Sequence, residues 1–366
     1  MPKGMVHRIV LSALAAAAAL SAVVLPASAG AAPPGHVFVI VLENEDAATT
    51  FGAHSPAPYL ANELRRRGAF VPNYYGTAHN SLANYIAMVS GQAPTTQTQA
   101  DCPESVDVLP GAPAPDGQTV GQGCVYPASV PTVADQLEAA GGTWKGYMED
   151  MGNDPVRDNG TTCAHPTIGT PDRTQRASAT DQYATRHNPF VYFHSIIDEP
   201  SCATRDVPLT QLASDLQSAT ATPQLSFIVP DLCNDGHDAA CADGGPGGLP
   251  AADAFLRTWV PRILAAPAFA DGLLVITFDE AESDATACCG EQPGPNTPQP
   301  GITGPGGGRT GAVLISPSIK PKTVTQRPYN HYGLLRSIED AFGLAPLGYA
   351  AGASPFGNDV YRTSKR

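Results

Sequence analysis

The chain has 366 residues, of which 42% are hydrophobic, and its 21 basic and 34 acidic side chains give a formal net charge of −13. This apolar content is typical of a globular protein and argues against a largely disordered chain. The 36 glycines and 36 prolines follow no three-residue period, which excludes a collagen-like protein and predicts long irregular loops. The acidic balance makes nucleic acid an unfavourable partner, and we expect none.

The N-terminus has the pattern of a secretory signal peptide. Lys3 and Arg8 precede an apolar, alanine-rich stretch over residues 9–25, and a small-residue A-x-A pattern then ends at Ala29. This order predicts export with cleavage after Ala29. The alternative is an uncleaved membrane anchor, which would need about 20 apolar residues and no cleavage pattern. For residues 30–366 we predict one domain with long loops and no integral membrane span.

Unbroken apolar runs predict strands that are buried on both faces, as in a parallel sheet. In chain order, these strands cover residues 36–42, 69–75, 144–148, 225–229, 273–278 and 311–316. Between them, helices are predicted over residues 59–67, 81–90, 132–140, 251–265 and 332–342, and most of these end at glycine. Strands that alternate with helices predict an α/β fold with a mainly parallel sheet.

Eight cysteines support an exported protein, because thiols outside the cell are not kept reduced. The local pairs Cys102–Cys124, Cys163–Cys202 and Cys233–Cys241 are the least demanding arrangement. Cys288 and Cys289 would then form a vicinal pair or be split between other partners, and the sequence does not decide between these. A cysteine metal site is disfavoured, because two C-x-x-C pairs are not present.

Polar side chains follow the predicted strands at the points where the strands end. They are Glu43, Asn44, Thr77, His79, Asn80, Ser81, Asp235, His237, Asp238, Asp279 and Glu280, with His331 just before the last helix. Each has an ordinary explanation alone, such as a solvated loop for Asp279 or helix capping for Asn44. Because ligands bind beyond the carboxyl ends of parallel strands, we expect these groups to meet at one edge of the sheet.

Such a set of side chains suits the hydrolysis of phosphate esters. Carboxylate and amide oxygens bind a divalent cation, which stabilises charge on phosphoryl oxygens. A serine at the start of a helix is a candidate nucleophile, and the helix N-terminus attracts an anion. Histidines can hold phosphate oxygens or protonate the leaving alcohol, and an acidic pH would keep them charged.

Several stretches also carry a family resemblance that covers nearly all of the predicted mature chain. They are Val41–Asn44, Ala57–Leu60, Gly68–Phe70, His79–Ala87, Arg186–Phe190, Ile228–Pro230, Asn234–Asp238, Leu274–Glu280 and His331–Glu339. In this order the chain resembles the bacterial secreted phosphoesterase family that joins acid phosphatases and phospholipases C. It looks closest to the phosphatidylinositol-3-phosphatase-like branch of that family.

The resemblance implies an alkaline-phosphatase-like, three-layer α/β/α sandwich with a divalent metal ion of unknown identity at the edge of the sheet. It implies a metal site of Asn44, Asp279 and Glu280 with Glu43 beside them, and Ser81 as the nucleophile. His187, His237 and His331 match catalytic positions, and His79, Asn80 and His187 match substrate-binding positions. Thr77 is the reserve nucleophile, because relatives often carry prolines where this chain has Asn80 and Ala83. Asp235 and Asp238 could complete a second metal site.

We therefore expect a secreted, metal-dependent phosphomonoesterase of the acid phosphatase type. Its substrate would be a phosphate ester, with phosphatidylinositol 3-phosphate and other phospholipids as candidates. One alternative is a phospholipase C-type phosphodiesterase, which ranks lower because no apolar amphipathic segment suited to a lipid surface stands out. The other alternative is a non-enzymatic secreted protein whose acidic loops hold a structural cation.

Overall fold

Strand β1, His36–Leu42, lies in an eight-stranded sheet that is covered on both faces. Val37 and Val39 belong to one hydrophobic cluster, whereas Phe38 and Ile40 belong to another. Because successive side chains of a strand point to opposite faces of the sheet, this division places one core on each side. A strand in this position needs apolar residues throughout, which is why its sequence is an unbroken apolar run.

The computed structural model describes Met1 and residues 33–361, so the predicted signal peptide and its cleavage after Ala29 lie outside the described residues. The other strands are β2 (Ala69–Val71), β3 (Tyr74–Tyr75), β4 (Leu109–Pro113), β5 (Thr119–Gln122), β6 (Trp144–Met148), β7 (Asp206–Pro208), β8 (Leu225–Val229), β9 (Gly272–Phe278), β10 (Ala312–Ile315), β11 (Thr323–Val324) and β12 (Tyr329–Asn330). The α-helices are α1 (Ala47–Phe51), α2 (Arg65–Arg67), α3 (Ser81–Ser90), α4 (Val133–Ala139), α5 (His194–Ile197), α6 (Cys202–Arg205), α7 (Leu212–Asp215), α8 (Gly248–Ala265) and α9 (His331–Phe342), and a π-helix covers Tyr59–Leu64.

The large sheet is mainly parallel. Its strand order is β11-β2-β10-β9-β1-β8-β6-β7. Strands β9, β1, β8, β6 and β7 are parallel neighbours, and β10 runs antiparallel to both β9 and β2. Two small sheets accompany it, a parallel pair of β12 with β3 and an antiparallel pair of β4 with β5. The predicted mainly parallel sheet is confirmed.

Helices cover the two faces of this sheet. Leu82 of α3, Leu137 of α4 and Leu334 of α9 join the cluster on one face. Leu256 of α8 and Leu60 of the π-helix join the cluster on the other face. The molecule is therefore the three-layer α/β/α sandwich that was expected.

The prediction of one continuous strand over residues 69–75 is wrong. A turn at Pro72 and Asn73 separates β2, which joins the large sheet, from β3, which pairs with β12. Proline has no N–H to donate to a strand ladder, so the chain leaves the large sheet there. The long predicted loops also contain the hairpin of β4 and β5, which apolar periodicity did not indicate.

All eight cysteines form disulfides within the described residues. The pairs are Cys102–Cys124, Cys163–Cys202, Cys233–Cys241 and the vicinal pair Cys288–Cys289. This pairing confirms the local arrangement and decides the open question about the last two cysteines. Within residues 33–361, none of the helices combines the length and apolar content needed to cross a membrane.

Candidate active site

The register of two neighbouring strands brings two carboxylates to the same level of the sheet edge. Strands β1 and β9 pair in parallel with Leu42 beside Phe278. The next residues along the chain, Glu43 and Asp279, therefore leave the sheet side by side. Both are almost fully buried, with exposures of 1% and 0%.

Helix α3 carries two hydroxyl groups to the first of these carboxylates. The Ser81 hydroxyl donates a hydrogen bond to Oε2 of Glu43 at 2.7 Å. The Tyr85 hydroxyl donates to Oε1 of the same carboxylate. Residues four apart share a face of a helix, so both hydroxyls reach Glu43 from one side. Ser81 is the first residue of α3, and a proton acceptor thus lies against its hydroxyl.

Asn44 links the second carboxylate to Glu280. Its backbone N–H donates to Oδ1 of Asp279 at 3.2 Å, and its side-chain amide donates to Oε1 of Glu280 at 3.1 Å. Asn44 has a φ of 32°, a left-handed conformation that asparagine tolerates better than most residues. Two buried oxygens, Oδ1 of Asn44 and Oδ2 of Asp279, are left without a hydrogen-bond partner among the described residues.

Among the described residues, Glu43 and Asp279 lack the ion pair that Glu280 forms with His79. Burial lowers the pKa of His79, but the hydrogen bond to Glu280 outweighs this effect and raises the pKa to about 9. Burial, and then the neighbouring charge of Asp279, raises the pKa of Glu43 well above its ordinary value. Burial and the charge of Glu280 do the same to the pKa of Asp279. In the described part of the chain, no arginine or lysine forms an ion pair with either carboxylate. Buried anionic oxygens that lack a fixed cation are a donor set that fits a hard divalent cation.

Asn84 and His79 hold the loop in front of α3. The side-chain amide of Asn84 donates to Oε2 of Glu280 at 3.1 Å, and its Oδ1 accepts from the backbone N–H of Thr77 at 2.9 Å. His79 contacts Oε2 of Glu280 through Nδ1 at 2.9 Å and the carbonyl of Asp284 through Nε2 at 3.0 Å. The hydroxyl of Thr77 lies 3.4 Å from the same Asn84 oxygen, so it faces Asn84.

His187 lies directly beside the Ser81–Glu43 pair. Its Nε2 is 3.3 Å from Oε2 of Glu43, and its ring stacks on Tyr85 with a centroid distance of 5.4 Å. Burial lowers the pKa of His187 well below its ordinary value, so the ring is neutral near pH 7. Neither ring nitrogen has a hydrogen-bond partner in residues 33–361. A buried neutral imidazole with both nitrogens unpaired is available to a ligand.

His331, the first residue of α9, is buried behind Asp279. Its Nδ1 is 3.0 Å from the hydroxyl of Tyr74, and its Nε2 contacts the backbone oxygen of Asp279. Burial lowers the pKa of His331 to about 4. Since protein groups occupy both ring nitrogens, this histidine can position the end of β9.

His237 lies at the mouth of the site and is half-exposed. Its ring contacts Asp238 at 3.2 Å and Glu282 at 3.7 Å. A hydrogen bond to Asp238, the largest cause, raises the pKa of His237 to about 9. The imidazole therefore carries a proton at neutral pH.

Other predicted positions divide between the cluster and the surface. Asp235 is buried with Oδ2 unpaired among the described residues, and its backbone oxygen accepts from the N–H of Glu43 at 2.9 Å. Asp238 instead stays at the mouth with His237. The side-chain amide of Asn80 donates to the backbone oxygen of Gln99 at 2.8 Å.

Sequence reasoning assigned no role to Tyr85, Asn84 or Tyr74, although all three contact site residues. A signal was present for two of them. Asn84 and Tyr85 follow Ser81 by three and four positions, and such residues share one face of a helix. Tyr74 gave no comparable signal, because its contact with His331 joins segments that are distant in the chain.

Comparisons with known proteins show which family the chain matches. The family model described as "Phosphoesterase family" matches residues 54–345. The chain is 26% identical to the phosphatidylinositol-3-phosphatase of Mycobacterium tuberculosis (strain ATCC 25618 / H37Rv), over 94% of this chain and 93% of that protein. It is also 26% identical to the phosphate-repressible acid phosphatase of Penicillium chrysogenum, over 78% of this chain but 55% of the fungal protein.

Solved structures show a likeness of fold. The PsFucS1 sulfatase from Pseudoalteromonas sp. matches with a TM-score of 0.50 and 12% identity, over 91% of this chain and 72% of that one. Ps i-CgsB in complex with k-i-k-neocarrahexaose matches with a TM-score of 0.50 and 12% identity, over 89% of this chain and 75% of that one. At such identities, similarity of structure does not identify the substrate.

Proposed function

Since the chain belongs to the Phosphoesterase family, and is therefore a hydrolase that acts on phosphoric ester bonds, we propose that it is a metal-dependent phosphomonoesterase with Ser81 as its nucleophile. One observation carries this proposal. The Ser81 hydroxyl donates to the buried carboxylate of Glu43 at 2.7 Å at the N-terminus of α3. A nucleophile, a proton acceptor and an anion-attracting helix end thus coincide.

Ser81 would attack the phosphorus of a bound monoester while its proton passes to Glu43. The bond between phosphorus and the leaving alcohol then breaks, and the phosphoryl group stays on the serine oxygen. Water would hydrolyse this phosphoserine in a second step and release inorganic phosphate. Dividing one difficult displacement into two easier steps is the general advantage of covalent catalysis.

Asn44, Asp279 and Glu280, with Glu43 beside them, would hold the metal ion. Support comes from the unpaired buried oxygens of Asn44 and Asp279 in the described chain. When bound, a divalent cation supplies positive charge that stabilises phosphoryl oxygens. The chain's own residues supply the scaffold, because the Asn44 amide fixes the carboxylate of Glu280 at 3.1 Å.

The histidines would have different roles. His237 is protonated at neutral pH, since the hydrogen bond to Asp238 raises its pKa to about 9. At the mouth it would attract the phosphate dianion and could protonate the leaving oxygen. His187 is neutral and unpaired in the described chain, so it would donate one hydrogen bond to a phosphoryl oxygen. His331 would keep the end of β9 in place.

We also propose phosphatidylinositol 3-phosphate as a candidate substrate, because the mycobacterial relative is named a phosphatidylinositol-3-phosphatase. Export is part of the same proposal. The signal-like N-terminus of the sequence and the four disulfides support it. N-terminal sequencing of protein recovered from culture medium should begin at Gly30, and an intact Met1 would contradict cleavage.

The test of the site is phosphate release from p-nitrophenyl phosphate with and without a chelator. Ser81→Ala should lower kcat by about 1,000-fold or more, because the attacking atom is lost. Ser90→Ala is the matched control, since Ser90 is buried in the same helix and its hydroxyl bonds only the carbonyl of Ile86. If folded Ser81→Ala kept full phosphatase activity and Thr77→Ala lost it, Thr77 and not Ser81 would be the nucleophile.

A diester separates the alternative activities. Turnover of bis(p-nitrophenyl) phosphate in preference to the monoester would favour a phosphodiesterase. Binding of a divalent cation without turnover of any phosphate ester would favour the non-enzymatic alternative.

A further inference from the structure

Helix α3 carries the candidate nucleophile, but its own N-cap residue does not cap it. The N-cap is Asn80, whose side chain makes no capping hydrogen bond in the described structure and instead donates to the backbone oxygen of Gln99 at 2.8 Å. The first N–H groups of a helix have no partner within the helix and need an acceptor from elsewhere. Asp101 supplies one, because its Oδ1 accepts from the N–H of Leu82 at 3.0 Å. A carboxylate 19 positions further along the chain therefore holds the residue next to Ser81.

The second oxygen of the same carboxylate faces an arginine. Oδ2 of Asp101 lies 3.9 Å from Nε of Arg186, and the two side chains are only 19% and 14% exposed. Salt and water screen a partly buried pair of charges less than an exposed pair. Burial raises the pKa of Asp101, and the charge of Arg186 and the N–H of Leu82 oppose that rise. Both contacts therefore favour the ionised carboxylate.

The two partners of this carboxylate are the sequence neighbours of two candidate site residues. Leu82 follows Ser81, and Arg186 precedes His187. The Ser81 hydroxyl and the His187 ring both contact Oε2 of Glu43, at 2.7 and 3.3 Å. One carboxylate outside the cluster therefore joins the two segments whose side chains meet on Glu43.

The backbone that carries Asp101 is fixed on its own. Its N–H donates to the backbone oxygen of Thr98 at 3.2 Å, and its backbone oxygen accepts from the side-chain amide of Gln175 at 2.8 Å. The next residue, Cys102, is buried and forms a disulfide with Cys124. Because these contacts do not depend on α3 or on Arg186, the carboxylate can set the positions of its two partners.

We propose that Asp101 is a positioning residue, and that the carboxylate with its contacts to Leu82 and Arg186, the Asp101 bridge, aligns Ser81 with His187. This inference rests on the function proposed above, since it needs Ser81 as the attacking group. Nucleophilic attack depends on alignment, and a displacement of about 1 Å can cost about 100-fold in rate. Loss of the bridge should therefore lower kcat. KM should change little, because the protonated imidazole at the mouth, which attracts the phosphate, is left in place.

Substitution of Asp101 tests this role in the release of phosphate from p-nitrophenyl phosphate. Asp101 has a φ of 56°, which glycine and asparagine both tolerate, so neither substitution should strain the backbone. Asp101→Gly loses both contacts and should lower kcat by roughly 10- to 100-fold, with KM changed less than about threefold. Asp101→Asn keeps an acceptor for the N–H of Leu82, so its kcat should stay within about fivefold of the wild-type value.

Asp107→Asn is the matched control, because Asp107 lies six positions after Asp101 and its carboxylate pairs with His194 at 3.0 Å. This variant should keep the wild-type kcat and KM. A wild-type kcat in Asp101→Gly, or a rise in KM alone, would overturn the proposal.

A double-mutant cycle tests whether the two contacts act as one bridge. Arg186→Met removes the arginine contact and should lower kcat about fivefold. The double variant Asp101→Gly/Arg186→Met should have the kcat of Asp101→Gly, because the contact between the two side chains is already lost in the single variant. If the two reductions in kcat multiply, the residues act independently and the bridge is refuted.

Hydrogen exchange separates this inference from the proposed reaction. The amide of Leu82, followed by NMR, should exchange about tenfold faster in Asp101→Gly than in the wild type or in Asp101→Asn, the effect of losing one hydrogen bond. Unchanged exchange in Asp101→Gly would overturn the bridge, while the loss of activity in Ser81→Ala would still support the proposed function. Faster exchange together with a fully active Ser81→Ala would confirm the contact and overturn Ser81 as the nucleophile.

Discussion

Two of the buried carboxylate clusters in the described residues differ in their partners, because one of them is paired with an arginine. Under the loop near residue 157, Asp158 and Asp181 are almost fully buried. Arg157 pairs with them at 2.9 and 2.8 Å and donates to the backbone oxygen of Tyr183 at 2.7 Å. The positive charge that these two carboxylates face is therefore supplied by the chain itself.

The cluster at the edge of the sheet is built differently. Glu43 receives hydrogen bonds from the hydroxyls of Ser81 and Tyr85, and Asp279 receives one from the backbone of Asn44. Hydroxyls and amides orient a carboxylate but do not neutralise it. We infer from this comparison that the arginine-paired carboxylates stabilise the fold, whereas Glu43 and Asp279, which no arginine or lysine of the described residues pairs, can bind a cation.

Removing the arginine should have the largest effect on stability. We expect Arg157→Met to lower the free energy of unfolding by about 3–5 kcal/mol, because two buried carboxylates lose their partner. Urea denaturation measures this loss. Arg336→Met is the control, since Arg336 pairs with Asp340 on the exposed face of α9 at 2.8 Å and should cost about 0.5 kcal/mol or less. Equal effects of the two variants would remove the distinction between the clusters.

Adding a divalent cation should stabilise the other cluster. At a concentration 100 times its Kd, the cation should raise the free energy of unfolding by about 2.7 kcal/mol. Asp279→Asn should abolish this gain, because the unpaired anionic oxygen is replaced by a neutral group. Asp340→Asn, which changes an exposed carboxylate, should keep the gain. A similar rise of the thermal midpoint in wild type and Asp279→Asn would contradict the assignment of Asp279.

Asp206 is a third case, because it is a single buried carboxyl that forms no ion pair among the described residues. Burial raises its pKa from 3.8 to about 7. The folded state therefore holds a proton that the unfolded state loses at lower pH, so stability should fall as pH rises from about 4 to 7. Asp206→Asn can still accept the hydrogen bond from Asn188. Between pH 4 and 7, its free energy of unfolding should decrease by roughly 1–3 kcal/mol less than that of the wild type. If the free energy of unfolding had the same pH dependence in wild type and variant, the raised pKa of Asp206 would be contradicted.

The smallest expected effect concerns the orientation of Glu43. Tyr85→Phe keeps the stacking on His187 but removes one donor to the carboxylate, so kcat should fall about tenfold. Tyr147→Phe is the matched control, because the Tyr147 hydroxyl bonds Asp215 at 2.8 Å and takes no part in the site. Its kcat should remain that of the wild type. An unchanged kcat in Tyr85→Phe would show that Ser81 alone suffices to hold Glu43.

Much of the fold could be predicted from local patterns. Strands β1, β6 and β8 and helix α3 have the predicted bounds. Burial on two faces requires a short apolar run in each strand, and a glycine follows the last residue of the helix, so both signals are local in the sequence. The family predicted from the motifs is confirmed by the match over residues 54–345. The break between β2 and β3 had a local signal in Pro72, but the pairing of β3 could not be predicted, since its partner lies 255 positions away, with Tyr74 beside Tyr329.

The site was only partly predictable for the same reason. The sequence indicated that Glu43, Ser81 and Asp279 would meet, because each lies at the expected end of a strand or the start of a helix. It did not indicate that His331 would be occupied by Tyr74 and Asp279 while His187 would stay unpaired in the described chain. Those differences follow from burial and from contacts between distant segments.

The amino-acid sequence by itself determined the elements, the eight cysteines and the residue types at the ends of the strands, because these depend on neighbours in the chain. Only the tertiary structure decided which carboxylates face a cation that the chain supplies and which face none. Charge compensation is a property of groups within a few ångströms, and the fold brings such groups together from opposite ends of the sequence.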